Sequence, residues 1–379
     1  MSLSLNLSNY FLDPGEVRLS RVRLLVNGTE VFPRFLELIH KAQARLALEI
    51  YQFAGDGLGY EVRDALIEAA RRGVETRLVY DSFGSYPNTL SFFDPLVRAG
   101  ARVVEYHPIK PWRDRFNLSR RDHRKMLLAD GVSIIGGLNI AEEYRRPTEA
   151  AGIHDLAVEV NGPAVETAWR LFERTWRSQT KGEAAAFAPF AEFGQAFPGG
   201  WTQIIGNNAV LERWRLRRTL LHALAHAEGT IDLINPYFLP APDVMTYLRR
   251  AARRGVRVRV IVPETSDVPA VDLASAITQH RLVRRRVQVL RYGRRLHAKA
   301  ILVDGLWMSI GSYNFDYQTL FRNLEAVVNT TDPAAVAAMK DVAENDAKLS
   351  RSVTRGDWRR LPWLSRFAAR ILYRLRRFL

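Results

Sequence analysis

The sequence contains no cysteine, so disulfide bonds, thiolate metal sites and a cysteine nucleophile are all excluded. It also has no uninterrupted apolar run of the roughly 18 to 20 residues that a membrane-spanning helix needs. The first residues, MSLSLNLSNYFLDPGE, lack the basic and apolar regions of a secretory signal peptide. From these absences we expect a protein that stays in the cytoplasm, where it can still lie on a membrane surface.

Acidic residues are scarce relative to basic ones. The 379 residues include 55 Lys and Arg against 40 Asp and Glu, a formal net charge of +15. This excess indicates an anionic partner, which is a nucleic acid, an anionic membrane or a phosphorylated substrate. With 47% hydrophobic residues, a chain of this length can bury enough apolar surface for two domains or one duplicated domain.

The chain contains an internal repeat. Residues 44–53 and 229–238 each predict a buried strand, and an amphipathic helix, a glycine and a second strand follow each of them. The hexapeptide AARRGV recurs at 69–74 and 251–256. Strands that alternate with helices favour an α/β fold, with a sheet covered by helices in each half.

The repeat divides the chain into segments. Residues 181–200 are compositionally biased and break both the helix and the strand period, so we predict a linker there. We therefore place the first domain at 1–180, the second at 201–352, and a basic amphipathic segment at 353–379.

A histidine–lysine motif occurs at matching places in the two halves. The sequences are DHRKMLLADGVSIIGGLN at 122–139 and LHAKAILVDGLWMSIGSYN at 296–314. Residues two apart on an extended segment face the same side, so His123 faces the same side as Lys125, and His297 the same side as Lys299.

Each motif continues into a predicted hairpin. Asp-Gly at Asp130 and Asp304 is a strong turn signal, and the strand after it brings an asparagine back toward the histidine. Small residues lie next to that asparagine and allow a phosphate to approach the backbone. The candidate phosphate ligands on these returning segments are Asn139, Ser312 and Asn314.

A carboxylate follows each motif at an equivalent position. Asp155 and Glu325 each stand ahead of a proline at the same spacing. A histidine that acts as nucleophile or acid needs its other ring nitrogen held by an acceptor. We therefore predict that Asp155 orients His123 and that Glu325 orients His297, each within its own half.

The pattern His-x-Lys-x4-Asp followed by small residues and asparagine, present twice, resembles the phospholipase D superfamily. Within it the chain is most similar to bacterial cardiolipin synthases of the B type, through DHRKMLLADG, GGLNIAEEY, HDLAVEVNGPAV and NPYFLP. The resemblance covers about residues 20–350. The first copy departs from the second in two ways: its hairpin turn is one residue shorter, and Gly137 replaces the serine.

This resemblance implies two similar phospholipase D-like α/β domains, each a mixed β-sheet flanked by helices, that form a pseudo-twofold pair around one shared active site. It implies phosphatidyl transfer between two phosphatidylglycerol molecules through a phosphohistidine, with release of glycerol and without a metal or other cofactor. His123 would attack phosphorus, and His297 would protonate the leaving alcohol. The implied catalytic set is His123, Lys125, Asp130, His297, Lys299 and Asp304. Of these, we interpret the two turn aspartates as organisers of the motif and not as proton carriers.

Other functions remain open at this stage. A hydrolase of phospholipase D type, or a nuclease or other phosphodiesterase of the same superfamily, would use the same residues, and an inactive lipid-binding scaffold is a third candidate. Intact histidines and lysines in both halves disfavour the scaffold, and the absence of an evident nucleic-acid-binding module disfavours the nuclease. The sequence leaves open whether phosphatidylglycerol or phosphatidylethanolamine is the donor, and it indicates no protein partner.

The last residues favour contact with a membrane. Residues 358–379 hold seven arginines, five aromatic residues and no acid. After Pro362, helical spacing places five of the arginines on one face, namely Arg366, Arg370, Arg374, Arg376 and Arg377. The other face holds an apolar set, namely Leu364, Phe367, Ala368, Ile371, Leu372, Leu375, Phe378 and Leu379. This pattern is typical of an interfacial helix on an anionic membrane, here the cytoplasmic face of the inner membrane. The alternative is a terminal helix that docks its apolar face on the protein.

A second group of arginines precedes the second motif: Arg284–Arg286, Arg291, Arg294 and Arg295. We interpret it as a solvated face, with a landing patch for anionic head groups as the alternative.

Overall fold

The computed structural model describes residues 7–13, 16–86, 90–108, 120–146, 152–183, 199–207, 210–266, 268–316 and 323–375. The strands are β1 (Arg18–Val26), β2 (Arg45–Ile50), β3 (Glu75–Asp81), β4 (Arg102–Tyr106), β5 (Lys125–Ala129), β6 (Val132–Gly136), β7 (Leu156–Asn161), β8 (Gly200–Gly206), β9 (Thr230–Ile234), β10 (Arg257–Pro263), β11 (Gln288–Tyr292), β12 (Ala300–Val303), β13 (Trp307–Gly311), β14 (Ala326–Thr330) and β15 (Ser350–Ser352). The helices are α1 (Asn27–Lys41), α2 (Gly57–Arg71), α3 (Leu90–Arg98), α4 (Glu142–Arg145), α5 (Val165–Gln179), α6 (Val210–His226), α7 (Pro242–Arg254), α8 (Pro269–Val283), α9 (Pro333–Lys348), α10 (Arg355–Arg360) and α11 (Trp363–Arg374). Most of the predicted linker, residues 184–198, lies outside the described residues, and the proposed domain bounds stay a prediction.

The strands form one 15-stranded sheet in which the two halves repeat the same order. The first half runs β1-β7-β6-β5-β2-β3-β4, and the second runs β8-β14-β13-β12-β9-β10-β11 with β15 at its edge. In each half, the strands around the strand–helix–strand unit are parallel and the hairpin strands are antiparallel. The halves join where β1 pairs with β8. The predicted duplication and the mixed, helix-flanked sheets are therefore confirmed.

Local signals explain where the repeated helices begin and end. Helix α2 is capped by Asp56, whose carboxylate accepts from the backbone N–H of Gly59 at 3.0 Å. Helix α7 begins with Pro242 in its first turn and ends at Gly255, which has a φ of 97°. That left-handed conformation favours glycine, and it lets the chain turn directly into β10.

The two motif hairpins differ in length as the sequence indicates. In the first, Ala129 pairs with Val132, so only Asp-Gly forms the turn. In the second, Val303 pairs with Trp307 and the turn has one residue more. The additional residue is therefore absorbed in the turn, and the strands on either side of it keep equivalent positions.

The turn aspartates fasten each hairpin to the neighbouring strand. The carboxylate of Asp130 accepts from the backbone N–H groups of residues 43–45, at 2.9–3.0 Å. Asp304 accepts in the same way from residues 228–230. Both aspartates have a positive φ, which aspartate tolerates better than most residues. Each motif is thereby held against the start of β2 or β9.

One apolar cluster crosses from half to half. It contains buried residues of β5 and β7 together with residues of β13 and β14, among them Leu128, Val158, Met308 and Val328. Burial of this shared surface stabilises the halves as a pair, at about 25 cal/mol for each Å² of apolar area removed from water.

The C-terminal helix α11 docks on α8 with only part of its apolar surface. Ala369 is fully buried, and Leu372 packs against a cluster that includes Leu239 and Val271. The guanidinium of Arg281 lies 4.5 Å from the ring centroid of Tyr373. The predicted single apolar face is therefore divided, because Leu372 is used for docking.

The rest of that surface is exposed to solvent. Its exposed residues form a strip along α11, with exposed fractions of 68% for Trp363, 60% for Leu364, 55% for Phe367, 42% for Ile371 and 46% for Leu375. Phe378 and Leu379 lie outside the described residues. Among the helices of the described ranges, none has the length and apolar character to cross a bilayer.

Candidate active site

Each motif histidine is placed by a strand contact with the opposite half. The backbone N–H of His123 donates to the carbonyl of Leu324 at 3.0 Å, and that of His297 donates to the carbonyl of His154 at 2.8 Å. The segment ahead of each motif therefore runs beside the segment that carries the other half's carboxylate.

The histidine–carboxylate pairs are crossed between the halves. Nδ1 of His123 lies 3.0 Å from Oε1 of Glu325, and Nδ1 of His297 lies 2.6 Å from Oδ2 of Asp155. The pairing expected from the sequence, each carboxylate with its own half's histidine, is wrong. The physical reason is the strand contact just described, because each carboxylate directly follows the residue that the opposite histidine binds.

Both histidines line one cavity of about 610 Å³ between the halves. Because a carboxylate only accepts hydrogen bonds, each Nδ1 carries the proton, and Nε2 is left for chemistry in the cavity. Other lining residues come from both halves and include Asn139, Tyr144, Tyr237 and Asn314. The described part of the chain contains no group of three or more histidine and carboxylate side chains that could hold a metal ion.

The two motif lysines are buried beside the histidines. Nζ of Lys125 donates to the carbonyl of His123 at 2.7 Å, and Nζ of Lys299 donates in the same way to the carbonyl of His297. Burial lowers the pKa of Lys125 to about 7, although Glu325 acts in the opposite direction. The site therefore concentrates positive charge where an anionic group can neutralise it.

Burial and these lysines keep both imidazoles neutral. The pKa of His123 is well below its ordinary value, first because of burial and then because of Lys125 and Lys299. The pKa of His297 falls to about 4 for the same reasons, although Asp155 opposes the shift. At pH 7 both Nε2 atoms therefore have a lone pair, which a nucleophile needs.

The two orienting carboxylates differ in their electrostatics. Burial raises the pKa of Glu325 well above its ordinary value, with Lys125 acting against it. Burial also acts to raise the pKa of Asp155, but Lys299 and His297 outweigh it, and the net shift is downward. The two histidines are thus inequivalent, since ionised Asp155 stabilises the imidazolium of His297 more strongly.

The small residues at the ends of β6 and β13 make room for these carboxylates. A Cβ added to Gly137 would lie only 2.2 Å from Oδ1 of Asp155. At the matching place, the hydroxyl of Ser312 donates to Glu325 and accepts from the backbone N–H of Ala326. Ser312 is buried and does not line the cavity, so its expected contact with phosphate is replaced by a contact that orients Glu325.

Asn139 and Asn314 line the cavity as the sequence predicts. Asn139 also contacts Tyr144, a lining residue that the sequence analysis did not identify. Its Nδ2 donates to the hydroxyl of Tyr144 at 3.0 Å. The Tyr144 ring lies 5.5 Å from that of His297, edge to face. Tyr144 ends the segment GGLNIAEEY, so its place close after Asn139 was the available signal.

Arg124, between the two motif residues of the first half, was also missed. Its side chain is fully buried, and its Nε donates to the backbone carbonyl of Glu325 at 3.0 Å. Its Nη1 lies 3.4 Å from Glu49. The second half has Ala298 and Ile234 at the matching places, so it has no equivalent of the Arg124–Glu49 pair.

The turn aspartates Asp130 and Asp304 are not brought to the cavity. Each lies beyond the end of its motif strand that is remote from the histidine, and its carboxylate binds backbone N–H groups. This contact agrees with a role in organising the motif.

The repeated sheet and the crossed histidine pairs around one cavity define a duplicated α/β enzyme of the phospholipase D type. A sequence profile described as "Cardiolipin synthase, PLD-like domain" matches residues 35–176 and 220–347. The chain belongs to this family, and it is a phosphatidyltransferase of the phospholipase D superfamily.

The chain is similar over most of its length to bacterial proteins named cardiolipin synthase. Cardiolipin synthase B of Escherichia coli (strain K12) is 33% identical over 331 residues, which are 82% of this chain and 76% of that protein. Cardiolipin synthase 1 of Bacillus anthracis is 30% identical over 342 residues, or 87% of this chain and 67% of that protein. A crystal structure of phosphatidylserine synthase from Haemophilus influenzae Rd KW20 superimposes with a TM-score of 0.73 at 12% identity, over 97% of this chain and 98% of the other, which shows a common fold.

Proposed function

We propose that this protein is a cardiolipin synthase that transfers a phosphatidyl group from one phosphatidylglycerol to another through a phosphohistidine. The observation that carries the proposal is the pair of histidines, each held at Nδ1 by the opposite half's carboxylate and each lining the same cavity. A phosphodiester between them has a nucleophile on one side and a proton donor on the other.

In the first step, Nε2 of His123 attacks phosphorus, and the bond from phosphorus to the glycerol oxygen breaks. His297 gives its proton to that oxygen. The negative charge of the bound lipid offsets Lys125 and Lys299, which raises the pKa of His297 and allows it to be protonated in the complex. Asp155 stabilises the imidazolium form until the proton is transferred.

In the second step, His297 removes the proton from a hydroxyl of the second phosphatidylglycerol. The oxygen attacks phosphorus, the bond to Nε2 of His123 breaks, and cardiolipin forms. Lys125, Lys299, Asn139 and Asn314 hold the non-bridging oxygens throughout. If water takes the place of the lipid alcohol, the same residues make the enzyme a hydrolase, which is the second candidate.

The exposed strip on α11 supports work at a membrane surface. It presents Trp363, Phe367 and Ile371 to solvent, with Arg370 and Arg374 also exposed on the same helix. Apolar residues beside arginines suit a helix that lies in the interface of an anionic leaflet. We propose that the protein binds the cytoplasmic face of the inner membrane in this way, as a peripheral protein, with phosphatidylglycerol in that leaflet as substrate.

The test is to incubate the purified protein with phosphatidylglycerol vesicles and to quantify cardiolipin and free glycerol, with His123→Ala as the inactive control. We expect one glycerol for each cardiolipin, and denaturation in alkali during turnover should leave the phosphoryl group on His123, because a phosphohistidine is stable in base and labile in acid. Phosphatidate without cardiolipin would identify a hydrolase. Cleavage of DNA without any lipid product would identify a nuclease.

A further inference from the structure

Arg295 stands beside His297 on the wall of the catalytic cavity. The carbonyl of Arg295 accepts from the backbone N–H of His154 at 2.8 Å, and His154 in turn accepts from His297. The chain from Arg295 to His297 is therefore extended, and the two side chains point to the same side. Both line the cavity, and their α-carbons are about 6.6 Å apart at the usual rise of an extended chain.

The pseudo-twofold equivalent of Arg295 is Arg121, and the two have different surroundings. Arg121 is buried, lies 3.7 Å from Asp81, and donates to the hydroxyl of Ser82 and the carbonyl of His107. These contacts hold the Arg121 side chain against the loop that follows β3.

Arg295 has a half-exposed side chain instead, paired at 2.6 Å with Glu143, whose side chain is 41% exposed. Exposed ion pairs of this kind are weak and exchange readily with another anion. Of the two related arginines, Arg295 is therefore the one whose described ion pair is exposed to solvent, so that an anion in the cavity can compete with Glu143 for its guanidinium.

The chemistry of the transfer places a second anion at this position. In-line displacement puts the leaving alcohol, and then the acceptor alcohol, on the side of His297. The acceptor's own phosphodiester is separated from its reacting hydroxyl by the carbons of glycerol, so it lies a short way beyond His297. A guanidinium binds two phosphate oxygens at once, which a lysine cannot do.

We propose that Arg295 binds the phosphodiester of the acceptor lipid and thereby selects a lipid alcohol over water or a small neutral alcohol. The inference rests on the proposed function and on His297 serving the alcohol side. On binding, the acceptor phosphate replaces Glu143 as the partner of Arg295. The neighbouring Arg294 does not line the cavity, so it provides a matched control of the same charge.

The test is a competition in phosphatidylglycerol vesicles that also contain ethanol, with cardiolipin and phosphatidylethanol measured together. In Arg295→Gln, we expect the ratio of cardiolipin to phosphatidylethanol to fall at least tenfold, with a higher KM for phosphatidylglycerol as acceptor. The ratio of cardiolipin to phosphatidylethanol in Arg295→Lys should lie between the ratios of Arg295→Gln and wild type. Arg294→Gln should keep the wild-type ratio.

A wild-type ratio in Arg295→Gln, or an equal loss of both products, would overturn the inference and leave the proposed function intact. Wild-type protein that makes phosphatidylethanol but no cardiolipin would overturn both, so the two failures are distinguishable. If the ratio falls equally in Arg294→Gln, the effect comes from general surface charge, and this result would also overturn the inference. Circular dichroism of each variant verifies that the fold is retained.

Discussion

Oδ2 of Asp155, in the first half, lies 2.6 Å from Nδ1 of His297, in the second. The reciprocal pair joins Glu325 to His123. Each half therefore contributes a histidine that is oriented only when the other half is in place. The shared site is consequently more than two motifs that face each other, because each half supplies the hydrogen-bond acceptor for the other half's imidazole.

Asp155→Asn should lower turnover with phosphatidylglycerol by roughly a hundredfold or more, because an amide neither fixes the tautomer of His297 nor stabilises its imidazolium. The loss should be much smaller in the first burst of 4-nitrophenolate from a nitrophenyl phosphodiester, because that leaving group needs no proton. Glu325→Gln, which acts on the attacking His123, should slow both substrates. A large loss of the burst in Asp155→Asn would contradict the assignment of His297 to the leaving group.

Gly137→Ala should resemble Asp155→Asn in activity, because the added Cβ would lie 2.2 Å from Oδ1 of Asp155 and must displace it. Gly293→Ala is the matched control, since its added Cβ would be 3.6 Å from its nearest neighbour, which is ordinary contact. The measurement is kcat with phosphatidylglycerol together with the thermal midpoint. Full activity in Gly137→Ala would show that Asp155 is not needed at its present position.

The pH dependence of kcat/KM should follow the ionisation of the buried Lys125. Burial lowers the pKa of Lys125 to about 7 in the free protein, so its positive charge is present below that pH and is lost as the pH rises through it. Because the charge is needed to bind the phosphodiester, kcat/KM should fall as the pH rises above about 7. Lys125→Arg should be slower at every pH but should lack this decline, and a decline that persists in that variant would assign it to another group.

Asp130→Ala should lower the free energy of unfolding by about 2 kcal/mol, because the backbone N–H groups of residues 43–45 lose their charged acceptor. Asp304→Ala should have a similar effect in the second half. Asp64→Ala, which removes an exposed carboxylate, should change stability by less than about 0.5 kcal/mol. Denaturant titration measures all three, and an unchanged midpoint in Asp130→Ala would contradict the organising role.

Replacing Phe367 and Ile371 together with serine should weaken binding to anionic vesicles by roughly tenfold or more, since each buried apolar side chain contributes about 1.5–3 kcal/mol. Val97→Ser is the matched control, because Val97 is 50% exposed on α3 and is not part of the strip. Binding is measured by cosedimentation at low and high salt. Equal binding of the double variant and wild type would exclude the strip as the membrane contact.

Local patterns were enough to predict the repeated unit and much of the site. The Asp-Gly turns, the glycine after α7 and the His-x-Lys spacing depend on residues close together in the chain, and the structure has them where the sequence predicts. Asn139 and Asn314 also line the cavity as expected, because a short hairpin leaves little freedom in where its second strand ends. Tyr144 was missed because its place close after Asn139, which was the available signal, does not specify which side chain an aromatic residue on a short helix contacts.

The sequence by itself determined the duplication, the two motifs and the candidate residues, since each is encoded in adjacent residues or in direct similarity between the halves. Only the tertiary structure decided which carboxylate serves which histidine. Asp155 and His297 are 142 positions apart, and their meeting depends on strand contacts between halves that local periodicity does not encode. The same applies to Ser312, which packing turns toward Glu325, and to α11, where docking on α8 decides which apolar residues stay exposed.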